Sequence, residues 1–135
     1  MSEVEKKEPV SEEQEVETQI KQYLSEQQNA PEQEQIDKWK GEFGEVFASG
    51  FSPTEIYVWR AMRRHEYIQL QVSAQTNNLN TFQLEEATCD LCILWPTGKV
   101  WNNEKAGTPH SLSEQIMQNS NFLSPQAAAM LVIKL

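Results

Sequence analysis

EVFASGFSPTEIYVWRAM, residues 45–62, decides the fold class of this chain. Val46 and Phe47 precede SGFSP, and Ile56, Tyr57, Val58 and Trp59 follow it. β-branched and aromatic residues on both sides of a Gly/Ser/Pro segment predict a β-hairpin with a longer loop. Strand alternation puts Ile56, Val58 and Arg60 on one face and Tyr57 and Trp59 on the other. Both faces carry large apolar groups, so both are expected to be at least partly covered.

Beyond Arg63 the apolar period changes from two to that of a helix. In RRHEYIQLQVSAQ, Tyr67, Leu70 and Ala74 share a helical face that Ile68 and Val72 widen. The Asn77–Asn80 run breaks it. Thr81 is expected to cap a second helix, FQLEEATCDLCILW, with Leu84, Ala87, Thr88, Leu91, Cys92 and Trp95 inward and its end near Trp95, before Pro96. In the turn-rich PTGKVWNNEKAGTPH, Val100 and Trp101 are expected to pin the loop to the core. Ser111 and Glu114 have capping-box spacing and predict a helix with Leu112, Ile116 and Met117 inward. Ser124 and Pro125 open a last helix, QAAAMLVIKL. The fold class is therefore α+β: a β-hairpin followed by several short helices.

Upstream of the hairpin, PEQEQIDKWK predicts a short helix over 32–40 presenting Ile36, Trp39 and Phe43, ended by Gly41 and Gly44. Charge divides the chain. Residues 1–35 hold ten acidic and three basic side chains, net -7, whereas residues 36–135 hold ten and eight, net -2. All four Trp and all five Phe lie after residue 35. Residues 1–31 read as an acidic flexible tail, and residues 32–135 as one small domain. Within the tail, Ser11 and Gln14 form a capping box for an amphipathic helix over 12–28. Its apolar face carries Val16, Ile20, Tyr23 and Leu24, four anchors for a partner's groove.

The overall charge of -9 argues against a nucleic-acid partner. No run of 18 apolar residues predicts a membrane span, and the first residues lack the apolar stretch of a secretion signal. Cys89 and Cys92 are therefore expected to be reduced thiols. Their C-x-x-C spacing raises zinc and redox chemistry. Zinc needs four ligands, and the two histidines, His65 and His110, lie 24 residues before and 18 after the pair. A reactive dithiol sits at a helix N-terminus, whereas this pair falls near a helix C-terminus. The expectation is no metal and no cofactor. A zinc site, were one formed, would draw on Cys89, Cys92, His65 and His110. Arg63 and Arg64 form a small basic spot suited to an acidic partner or to the chain's own tail. No nucleophile-elbow, phosphate-loop, dinucleotide or HExxH motif occurs, and the reading is non-enzymatic.

The order of four segments adds a resemblance. IDKWKGEFGEVF, YVWRAMRRHEY, EEATCDLCILWP and AGTPHSLSEQIMQNSNF follow one another as in a family of small proteins of tailed bacteriophages. The resemblance covers residues 36–122 and departs at Arg64–His65, where the family more often has Thr or Ser followed by Arg or Lys. It implies a tail or baseplate component, or a tail-assembly chaperone, in the virion or host cytoplasm. Its partners would be other phage structural proteins. Two alternatives stay open: an acidic inhibitor mimicking nucleic acid, and a small zinc-stabilised adaptor.

Overall fold

A computed structural model describes residues 11–135; the first ten residues of the acidic tail lie outside the described residues. The fold is α+β: among the described residues, six α-helices surround a three-stranded antiparallel sheet. In chain order these are α1 (Glu12–Glu26), α2 (Gln33–Phe43), β1 (Val46–Ser52), β2 (Glu55–Arg60), α3 (Arg64–Thr76), α4 (Thr81–Cys92), β3 (Ile93–Trp95), α5 (Thr108–Asn119) and α6 (Pro125–Ala129). A single 3-10 turn, Trp101–Asn103, precedes α5.

The hairpin forms where expected, but its strands are longer and its turn tighter. β1 runs through SGFS, and Ser52 pairs with Glu55, leaving Pro53 and Thr54 as the two-residue turn. A bulge places Phe51 outside the ladder, between the pairs Gly50–Ile56 and Ser52–Glu55. β2 is the central strand, and its residues from Ile56 to Arg60 are all buried. Tyr57 and Trp59 face the main core, built with Cys89 and Cys92 of α4 and Leu112 and Ile116 of α5. Val58 and its partner Ala48 face the other way, toward α1 and α2.

Several boundaries differ from the sequence reading. Gly41 lies inside α2, and Gly44, at φ 87°, ends it. Asn80, not Thr81, caps α4, through a reciprocal capping box with Gln83. α5 starts at Thr108 with Pro109 in its first turn, so Ser111 is interior. Ile68, Val72, Val100 and Leu91 are exposed, and Cys89 takes the core position assigned to Leu91. α6 stops at Ala129, and the apolar residues after it are not helical.

The largest correction concerns CDLCILWP. It is not one helix end. α4 stops at Cys92, and Ile93–Trp95 becomes β3, paired antiparallel with Val58 and Trp59. Pro96 disfavours helix at Trp95, as expected. The edge of β2 then offers unpaired N–H and C=O groups, and β-branched and aromatic residues beside it complete the ladder.

Candidate functional site

Two clusters contain most of the partner-binding residues singled out by sequence. The first is an open groove of about 1110 Å3 between α1, α2 and the outer face of the β1–β2 hairpin. α1 supplies Val16, Ile20 and Leu24, at i, i+4 and i+8, with Glu12, Glu13 and Glu17 on the same wall. α2 supplies Ile36 and Lys40, and the floor is Val46, Ala48 and Val58. α1 holds its place through three features. The Ser11–Gln14 capping box closes its first turn. Gln27 donates to the carbonyl of Pro53 in the hairpin turn. Ile20 passes so close to Gly50 that a Cβ there would stand 3.2 Å from Ile20 Cγ1 and 3.0 Å from Ile56 Cδ1. Lys21 bridges Glu17 at 2.8 Å and holds that carboxyl below its usual range.

Three of the four anchors expected on α1 therefore line a groove over the chain's own sheet, and Ile20 meets it at Gly50. Tyr23 does not line it; its hydroxyl accepts a hydrogen bond from Gln19. Sequence reading missed the opposite wall and the floor. Gly50 was the available signal, because a glycine within a strand often marks a close backbone approach.

The second cluster joins β2 to α3. The Arg60 guanidinium forms a two-pronged pair with the Glu66 carboxylate, Nη2 to Oε2 at 2.8 Å, and also donates to the Leu91 carbonyl at 3.2 Å. It lies over the Phe43 ring, 4.8 Å from the centroid. Glu66 also accepts from the Arg63 backbone N–H, closing the first turn of α3. The hydrogen bond from Arg60 holds the Glu66 carboxyl below the usual range. Arg63 donates to the Glu42 carbonyl at 2.7 Å and stacks on Phe43, so it ties α2 to α3. Arg64 lies over Tyr67 one turn on. The charged partner of Glu66 thus stands six residues back, on β2.

The cysteines are core groups. Both are free and fully buried, and Cys89 Sγ lies 3.4 Å from the Pro109 carbonyl. Burial raises the Cys89 thiol to about 12, helped by nearby Asp90, and the Cys92 thiol to about 11. Among the described residues, no group of three or more His, Cys, Asp and Glu side chains that could hold a metal ion comes together. His110 is instead clasped at the surface by Glu85, 3.0 Å from Nδ1, and Glu114, 3.3 Å from Nε2. His65 is exposed on α3.

Thiol reagent added to the folded protein should label Cys89 and Cys92 only at the rate of opening; labelling as fast as in urea would place them at the surface. Replacing both by Ser should cost about 1–3 kcal/mol, from hydroxyls without full hydrogen bonding in an apolar site. The His110 imidazole, raised chiefly by its hydrogen bond to Glu85, should titrate above 6.5 by NMR. Glu85→Gln should bring that midpoint down. The sign follows: the clasp stabilises fully below pH 6.5 and fades as pH rises through the folded value.

Compared with family models, curated proteins and solved structures, the chain finds no match. Among the described residues, no helix is long and apolar enough to cross a membrane.

Proposed function

We propose that this chain is a non-catalytic binding module whose α1–α2 groove takes an apolar segment of another protein. The observation that carries this reading is the groove itself: an apolar floor, Val16, Ile20 and Leu24 on one wall, Ile36 between Gln33 and Lys40 on the other, open to solvent and edged by α1 carboxylates. A monomeric domain seldom leaves so large a concave apolar face without a use. The order of the four sequence segments supports a place for the module in tailed-phage assembly, as a tail or baseplate component or a tail-assembly chaperone. The occupant would then be another virion structural protein.

The test is affinity purification of the tagged full-length chain from phage-infected cells, with crosslinking and mass spectrometry. Tail or baseplate proteins should be recovered, with crosslinks at Lys21 and Lys40 beside the groove. Val16 is 55% exposed, so Val16→Glu should leave the fold intact. It should reduce recovery by about tenfold, the effect of one charge in an apolar contact. A chain found in neither virions nor assembly intermediates would overturn the phage assignment. Recovery unchanged by Val16→Glu would remove the groove from it.

A further inference from the structure

Residues 130–135, MLVIKL, form the most exposed apolar segment among the described residues. Met130, Leu131, Val132, Ile133 and Leu135 are 74–110% exposed. They follow the short α6 without regular structure. Such a segment, covered by no element among the described residues, is what an interaction surface looks like. Val132 and Ile133 are β-branched and favour an extended backbone.

The hairpin offers a matching acceptor. β1 is an outer strand of the sheet, seven residues long. Among the described residues, no backbone hydrogen bond reaches its free side. A strand edge of that kind is a template for another strand. Six extended residues span about 20 Å, close to the length of β1 and of the α1 wall above it. Apolar groups stand on both sides of the edge: Ile20 and the groove on one, and on the other the bulged, exposed Phe51, with Ser49 and Gln115 near it. Charge also matches. Lys134 is the segment's one charged side chain, and Glu12, Glu13 and Glu17 line the α1 side.

We propose that Met130–Leu135 of a second copy of this chain adds as an extended strand along the free edge of β1, filling the α1 groove. Alternation then sets the register. Met130, Val132 and Lys134 face α1, with Lys134 toward its carboxylates, and Leu131, Ile133 and Leu135 face the Phe51 side. The contact is head-to-tail, segment to groove, so it closes as a ring or continues as a chain. This inference rests on the binding-module reading and names one occupant for its groove.

Sedimentation velocity on the full-length chain, from micromolar to hundreds of micromolar, tests it. The wild type should gain mass with concentration. Val132→Asp/Ile133→Asp, in exposed positions that leave the fold undisturbed, should weaken association at least about a hundredfold. Val16→Lys should weaken it at least about tenfold. Mixing the two variants should restore a one-to-one complex, since one retains the groove and the other the segment. A wild type that stays monomeric overturns the proposal. So does a segment variant that associates like wild type, or a pair of variants that fail to combine. Purification from infected cells separates this from the broader reading. Phage proteins recovered by a chain that never self-associates would retain the module and reject the second copy as occupant. Self-association without any recovered protein would do the reverse.

Discussion

Arg60→Ala is expected to destabilise the folded chain by about 3–5 kcal/mol, the usual effect of removing one partner of a buried ion pair. The side chains of Arg60 and Glu66 are only 8% and 15% exposed, so water cannot replace the lost guanidinium. The substitution also removes the stack on Phe43 and the donor to the Leu91 carbonyl. α2, α3 and the end of α4 all meet at this one side chain. Burial is the largest single influence and works against the guanidinium's charge, but the Glu66 hydrogen bond and the nearby Glu66 and Glu42 charges together outweigh it, so Arg60 stays charged. Urea unfolding followed by circular dichroism gives the loss. A double replacement, Arg60→Leu/Glu66→Leu, should lose less than Arg60→Ala, because it leaves no unpaired charge. A loss for Arg60→Ala below about 1 kcal/mol would mean that the pair behaves as a solvated one.

Acid supplies a second readout of the same pair. Glu66 has its carboxyl held below the usual 4.5, so its contribution is complete above that pH and declines as pH falls through the lower, folded value. In Arg60→Ala the lone carboxylate is instead relieved by protonation. The gap in stability between wild type and variant should therefore narrow below pH 4.5. A gap that stays constant would assign the loss to packing alone.

Trp59→Ala, on the opposite face of the same strand, is expected to cost about 3–5 kcal/mol, as large aromatic truncations in cores do. The Trp59 ring stacks on Phe47 at 4.6 Å between centroids. Its Nε1–H donates to Ser49 Oγ at 2.8 Å, and Ser49 donates onward to the Gln115 side chain. That chain of hydrogen bonds fastens the hairpin to α5. Truncation opens a cavity and strips Ser49, itself buried, of its donor. Trp59→Phe keeps an aromatic stack and should lose only about 1–2 kcal/mol. Urea midpoints for the two variants decide this, with an unchanged denaturant slope required for a two-state comparison. Equal losses would show that the hydrogen bond, not the volume, dominates.

The readable parts of this chain were those set by local pattern. The hairpin followed from period-two alternation around Gly50 and Pro53. α1 followed from its capping box and from Val16, Ile20 and Leu24 at helical spacing, and Leu112 and Ile116 fell inward as expected. The unreadable parts depended on partners distant in sequence. Nothing local in RRHEY marks Glu66 as buried; only the fold brings Arg60 of β2 beside it. Val16, Ile20 and Leu24 were identifiable as anchors, but not the surface they meet, because Ile36, Ala48 and Val58 come from three other elements.

The same division runs through residues 89–96. By itself the sequence determined that Cys89 and Cys92 share one helical face at a helix C-terminus, because 3.6 residues per turn fixes that geometry. It also determined that the helix could not continue into Pro96. Only the tertiary structure decided what Ile93, Leu94 and Trp95 become. They are neither the last turn of a helix nor a loop, because the unpaired edge of β2 lies beside them and its backbone groups need partners. A helix satisfies its own hydrogen bonds within four residues, so its presence can be read locally. A strand takes its partners from elsewhere in the chain, so β3 exists only once the hairpin has formed next to it.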